Sequence, residues 1–255
     1  MVTKTAAIIV IGDEILSGRT KDKNIGWLAQ ELTALGIDLI EARIIADVES
    51  TIIKTVLEMS DAYDYVFTSG GIGPTHDDIT TASIAKAFDR AVIRHPEAVR
   101  RLLAHYENTD IPFNEARQKM ADIPEGADLI DNPASAAPGF HIKNVYVMAG
   151  VPPILQSMFE GLKDQLEGGS QRHRLTVQCA IGEGTIATIL EEVAGAYEGL
   201  SVGSYPWFKP GQFGTAVVVS SKNKEDMKAA AQSLCAAVIK AGYEAEILQE
   251  GQDRS

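Results

Sequence analysis

The chain has 255 residues, and 35 Asp and Glu against 23 Lys and Arg leave a formal net charge of -12. A hydrophobic fraction of 45% is enough apolar chain for one large core and one small one. The acidic balance repels phosphate backbones and anionic lipid, so neither nucleic acid nor a membrane surface is expected as a partner. The two cysteines, Cys179 and Cys235, fall in different expected elements and support neither a disulfide framework nor a cysteine metal site.

Met1-Val2-Thr3-Lys4-Thr5 leads into the apolar run Ala6 to Ile11, which is too short to span a bilayer and lacks a following cleavage site. It reads as a buried strand over 5–11, and a cytoplasmic location is expected. A loop from Gly12 to Asp22 follows, then a helix carrying Ile25, Leu28, Leu32 and Leu35 and stopped by Gly36. Leu39 to Ile45 reads as a second strand. Asp47 precedes a helix with Ile52, Val56 and Met59, and Tyr65 to Thr68 is a third strand. Helices are expected after Asp78, from about Pro96 to Tyr106, and as a turn over 114–120. Ala127 to Phe140 reads as strand-loop-strand, and Val145 to Ala149 as a last buried strand before a helix opened by Gly150-Val151-Pro152-Pro153. This alternation predicts an α/β domain over 1–168 with a mostly parallel sheet covered on both faces.

Glu167-Gly168-Gly169-Ser170-Gln171 is polar and permissive, and reads as a boundary. Beyond it, over 172–250, the expected order is β-α-β-β-α-β, which predicts a small α+β, ferredoxin-like domain. Pro206-Trp207-Phe208-Lys209-Pro210-Gly211 is expected as a loop between its middle strands, free to pack or to reach a partner.

The run Thr68-Ser69-Gly70-Gly71-Ile72-Gly73-Pro74-Thr75-His76-Asp77-Asp78 begins at the carboxyl end of a buried strand, where open α/β sheets bind ligands. Its glycines leave backbone N–H groups uncovered, and with a helix start behind them they form an anion cradle. It is neither a Walker motif nor a dinucleotide fingerprint. One of Asp77 and Asp78 can cap the following helix; the other can hold a divalent ion or a ligand group. His76 reads either as a proton donor or as a solvent-facing loop residue.

The first loop, with Gly12, Glu14, Arg19 and Lys21, can form a second wall, its two cations approaching a diphosphate; the alternative is a solvated loop capped at Asp22. Asp47 on its own is an ordinary helix cap. Ser135 with Pro138-Gly139, and Gly150 with Pro152, read as flat small-residue walls or as tight turns.

Gly12-Asp13-Glu14-Ile15-Leu16-Ser17-Gly18 and Gly70-Gly71-Ile72-Gly73-Pro74-Thr75-His76-Asp77-Asp78-Ile79-Thr80 resemble the Mog-type molybdopterin-binding domain. Within it they resemble the branch of CinA-type competence/damage-inducible proteins and the N-terminal region of eukaryotic FAD synthases. The similarity covers residues 5–166 and continues at Gly203-Ser204-Tyr205-Pro206. The resemblance implies a three-layer fold, a homodimer or homotrimer, and catalytic roles for Asp47 and Asp78, while the acidic pair itself suggests metal binding at Asp77 and Asp78. The same resemblance implies ligand contacts at Gly70, Gly71, Ile72, Gly73, Ser135, Pro138 and Gly139, to which the reading of the loops themselves adds Gly12, Glu14, Arg19, Gly150 and Pro152. Gly150-Val151-Pro152-Pro153 departs from the usual loop of those relatives. The deamidase domain of CinA-type proteins and the adenylyltransferase domain of FAD synthases are not expected within these residues.

Two functions follow as expectations. The first is hydrolysis of a nucleoside diphosphate-linked compound such as ADP-ribose or FAD, using a divalent ion such as Mg2+. The second is a molybdopterin site serving molybdenum cofactor assembly, or a binding module without turnover. A third reading, of a different class, is an oligomeric scaffold held by Trp207-Phe208 of the small domain.

Overall fold

The computed structural model describes residues 4–107, 109–170 and 172–248. Residues 1–3, Gln171 of the expected boundary and the expected domain end at 250 lie outside them. The chain divides between Gly169 and Ser170 into two compact units.

The first unit opens with β1 (Lys4–Ile11), a helical turn α1 (Asp13–Leu16), α2 (Asn24–Ala34) and β2 (Ile37–Ile45). Next come α3 (Glu49–Ala62), β3 (Tyr65–Ser69), α4 (Thr80–Ala87), β4 (Val92–Arg94), α5 (Pro96–Tyr106) and α6 (Glu115–Gln118). A 3-10 turn over Lys119–Ala121 leads to β5 (Asp122–Pro124), β6 (Asp128–Ile130), β7 (Gly139–Ile142), β8 (Val145–Met148) and α7 (Pro152–Leu162). The main sheet has the order β2-β1-β3-β8-β7-β6. Its first four strands are parallel, β7 runs antiparallel to them, and β6, antiparallel to β7, returns to their direction.

β1 explains why helices lie on both faces. Its side chains alternate between two separate cores, as a strand of period two must when neither face meets water. Ala6, Ile8 and Val10 pack with Leu28 and Leu32 of α2 and with Leu155 and Phe159 of α7. Ala7, Ile9 and Ile11 pack with Ile52, Val56 and Met59 of α3 and with Ile84 of α4. A continuous apolar run is therefore what this central strand requires.

The sequence reading does not anticipate β4 and β5, which form a two-stranded antiparallel sheet. Three-residue strands carry too few residues for a period to show. Beside them, Ala98 and Leu102 of α5 pack with Ala121 in a small third core.

The second unit contains β9 (His173–Cys179), α8 (Glu183–Gly195), β10 (Ser201–Lys209), β11 (Gln212–Ser221), α9 (Lys224–Lys240) and β12 (Ala245–Ile247). Its antiparallel sheet has the order β10-β11-β9-β12. Val177, Cys179, Val217 and Val219 meet Ile186 and Val193 of α8 and Leu234 and Val238 of α9.

The expected loop over 206–211 is corrected. β10 continues to Lys209, and only Pro210-Gly211 turns the hairpin, with Gly211 at a φ of 76°. Trp207 lies opposite Gly214, where a Cβ would come within 2.5 Å of the indole. The missing side chain lets the ring lie across the neighbouring strand, so pairing extends past the point where composition suggests a loop. Among the described residues no helix is long and apolar enough to cross a membrane.

Candidate functional site

β1, β3 and β8 are adjacent in the sheet, so the turns after their carboxyl ends converge. Backbone bonds tie them together: Gly12 N–H donates to Ile45 O at 3.1 Å, and Gly70 N–H to Met148 O at 3.1 Å. Gly70 has a φ of 111°, and a Cβ there would meet Ile11 O at 2.2 Å. Gly71 has a φ of 70°, and its Cβ would meet Thr80 Oγ1 at 2.0 Å. Both the conformation and the approach demand glycine at these two positions. Thr80 N–H in turn donates to Gly71 O at 3.0 Å, which fastens the loop to the start of α4.

Asp47 is held by a contact distant in sequence and Asp78 by a local one. Asp47 does not cap α3, whose N-cap residue is Val48 with no side-chain cap. Its carboxylate accepts the backbone N–H of Asp13 at 3.0 Å and so joins the turns after β2 and β1. Burial pushes the Asp47 carboxyl above its usual range. The Asp13 N–H opposes this, and the carboxylates of Asp13, Glu14 and Asp77 add to it.

Neither Asp77 nor Asp78 caps α4, which starts after Ile79 without a side-chain cap. Asp78 instead closes its own turn, accepting the Thr75 N–H at 2.8 Å and the Thr75 hydroxyl. Asp22 does cap locally, accepting the Ile25 N–H at 2.9 Å.

These turns enclose a cleft of about 620 Å³ with predominantly apolar walls. Gly12, Glu14 and Asp47 line one side of it, and Gly70, Gly71, Ile72 and Gly73 the floor. Asp77, Asp78, Ser135, Gly150 and Pro152 complete the expected residues found there. Five others do not line it, among them Lys21, which lines a separate small recess with Asp22 and Asn24. Arg19 and His76 are exposed elsewhere on their loops. Pro138 lines a smaller recess, and Gly139 is buried within β7, where a Cβ would meet Val147 O at 2.3 Å. That glycine serves strand packing. Glu14, Asp47, Asp77 and Asp78 face the cleft with no Lys or Arg among its lining residues. Among the described residues no group of three His, Cys, Asp or Glu is placed to hold a metal ion.

Three residues gain a role that the sequence reading does not give them, Asn132 within the small-residue wall loop and Asn24 and Lys119 outside any motif. Asn24, 3% exposed, donates to Ser69 Oγ and to Gly150 O, both at 2.8 Å, and so holds the ends of β3 and β8. Asn132 donates to Ser135 Oγ and Ala137 O, both at 2.7 Å, and shapes the far wall. Lys119 donates to the carbonyls of Thr75 and Asp78. Asn132-Pro133 was a legible turn signal, whereas nothing local marks Asn24 or Lys119. At α7 the first two helical residues, Pro152 and Pro153, have no N–H, so that helix start offers a flat apolar wall and few donors.

Residues 7–168 match the family described as a probable molybdopterin binding domain, and residues 171–246 match the middle domain of FAD synthase. The chain belongs to the molybdopterin-binding-domain family, with an FAD-synthase-like and CinA-like character. A probable FAD synthase of Caenorhabditis elegans is 35% identical over 255 residues, covering 91% of this chain and 49% of the relative. The chain thus spans about half the length of the FAD synthase relatives it matches. A protein of Archaeoglobus fulgidus is 34% identical, covering 88% of this chain and 93% of the relative. The solved structure of the protein CinA from Thermoplasma acidophilum superposes with a TM-score of 0.59 at 29% identity, over 64% of this chain and 98% of that one.

Proposed function

We propose that the first domain binds a molybdopterin-type ligand, a pterin with a terminal phosphate or its adenylylated form, and serves adenylyl-transfer chemistry in molybdenum cofactor assembly. The observation that carries this reading is the mostly apolar cleft at three adjacent strand ends, lined by Gly70 to Gly73, in a chain of this family. The fit is steric: side chains at Gly70 and Gly71 would collide with Ile11 O and Thr80 Oγ1, so the floor can only be bare backbone. Gly12, Gly150 and Pro152 would flank the ring, and Ser135, oriented by Asn132, would donate to its edge.

Asp47 and Asp78 would position the reacting phosphate end, with Arg19 at the exposed rim. A phosphate entering a cleft of four carboxylates needs a counter-charge. A divalent ion such as Mg2+ carried by the ligand would supply it, held by Asp78 with Asp77 or Asp47 and by the phosphate oxygens. Calorimetry with molybdopterin and its adenylylated form tests the reading; heat in neither titration overturns it.

A second reading is metal-dependent hydrolysis of ADP-ribose or FAD. The raised carboxyl of Asp47 beside Glu14 and Asp77 favours it, since a carboxyl kept closer to neutral pH is better matched to moving a proton. Release of AMP from either compound, dependent on added Mg2+ or Mn2+, is the expected result; its absence across both metals leaves binding alone.

The same reading treats the second unit as ferredoxin-like, since two helices cover one face of its four-stranded sheet. It also treats the protein as a cytoplasmic homodimer or homotrimer, which sedimentation would check.

A further inference from the structure

The cleft poses an electrostatic problem: four carboxylates and no cation line a site meant for a phosphorylated ligand. Lys119 lies just behind it. It sits in the 3-10 turn after α6, half-buried, and reaches the Thr75–Asp78 turn from across the fold. Its ammonium donates to Thr75 O and, at 3.0 Å, to Asp78 O. A lysine ammonium has three N–H donors, so one is left. The nearby Asp77 carboxylate feels the charge of this ammonium, which places the cation beside the acidic turn.

Lys119 also lines a recess of about 70 Å³, together with Asp78, Pro138 and Phe140. Ile72, Gly73, Asp78 and Met120 line both the recess and the main cleft, so the two adjoin. That volume holds several waters or one tetrahedral oxyanion. Two carboxylates also face the recess, and both are engaged. Asp78 accepts twice from Thr75, and Asp122 is held by Arg94 Nε at 2.5 Å.

We infer that Lys119 is the anion-binding residue of this site, closing the Thr75–Asp78 turn with two N–H groups and offering the third to a terminal phosphate monoester lodged in the recess. The inference rests on the proposed pterin site and names where the ligand's charged end goes. It also accounts for Pro138, which lies in the recess and not in the cleft.

The test compares the stable oxidised derivative of molybdopterin with and without its terminal phosphate, by calorimetry on the full chain. Wild type should bind the phosphorylated form more tightly by roughly tenfold to a hundredfold, as expected for one charge-assisted hydrogen bond. Lys119→Met should lose that preference while still binding the dephosphorylated form, and Lys119→Arg should keep part of it. A purely structural lysine would weaken both forms alike, leaving the ratio unchanged and overturning the inference. Equal binding of both forms by wild type would also overturn it while leaving the pterin site standing. Binding of neither form would remove both. If Lys119→Met does not fold, Lys119→Gln, which keeps donors for the two carbonyls without the charge, gives the same reading of the ratio.

Discussion

The Asp47 carboxylate accepts the backbone N–H of Asp13 at 3.0 Å and locks the turn after β2 to the turn after β1. This contact joins residues 34 apart in the chain, and it holds a carboxylate in the cleft wall at the cost of partial burial.

That burial has a pH signature. The folded carboxyl of Asp47 is raised, so ionising it is harder in the folded chain than in the unfolded one. Its contribution to stability is therefore fullest below the usual Asp range and erodes as pH rises through the raised value. Asp47→Asn keeps an oxygen for the Asp13 N–H but cannot ionise. It should melt higher than wild type at pH 7 and converge with it near pH 3.5, while losing ligand-dependent activity. Thermal melts across that range check the sign.

Gly70→Ala should destabilise the first unit by about 3 kcal/mol or more, because a left-handed backbone and a collision with a carbonyl oxygen act together. The Cβ would sit 2.2 Å from Ile11 O, which belongs to the central strand and cannot move aside. Gly18 shares a positive φ, 72°, but has nothing within 4 Å. Gly18→Ala should cost only about 1 kcal/mol. Denaturant titrations of the pair separate collision from conformation.

Asn24→Ala removes both donors that hold Ser69 and Gly150 and should cost about 2 kcal/mol. Asn24→Asp should be worse near neutral pH, since it places a carboxylate against Gly150 O at a site only 3% exposed. Both variants should also weaken ligand binding, because the ends of β3 and β8 form the cleft. A more stable Asp variant at pH 7 would contradict this role.

In the second unit, Gly214→Ala would push a Cβ to 2.2 Å from Cys179 O and 2.5 Å from the Trp207 ring. We expect a loss of about 2 kcal/mol, as for overpacking generally, and a changed environment for the indole. A Trp27→Phe background leaves Trp207 as the single tryptophan, so its emission reports that hairpin alone.

Much of the fold was legible because its causes are local and periodic. The unbroken apolar run of β1 can only be a strand covered on both faces, and the spacing of Leu28 and Leu32, or of Ile52, Val56 and Met59, can only face one side of a helix. The Gly70–Gly73 loop announced a bare-backbone floor for the same reason: no other residue tolerates those turns. Capping was misjudged at Asp47 and in the Asp77–Asp78 pair. A carboxylate before a helix has its N–H groups available, but Asp47 takes a donor from another turn and Asp78 one from its own turn.

By itself the sequence determined the strand and helix alternation, the strand-end position of the glycine loops and the acidic character of their surroundings, because each depends on neighbours a few residues away. The tertiary structure alone decided which side chains share the cleft. Asp47 meets Asp13, Asn24 meets Gly150 and Lys119 meets Asp78 only after elements far apart in the chain are laid side by side. Hydrogen-bond partners chosen across such distances leave no periodicity to read.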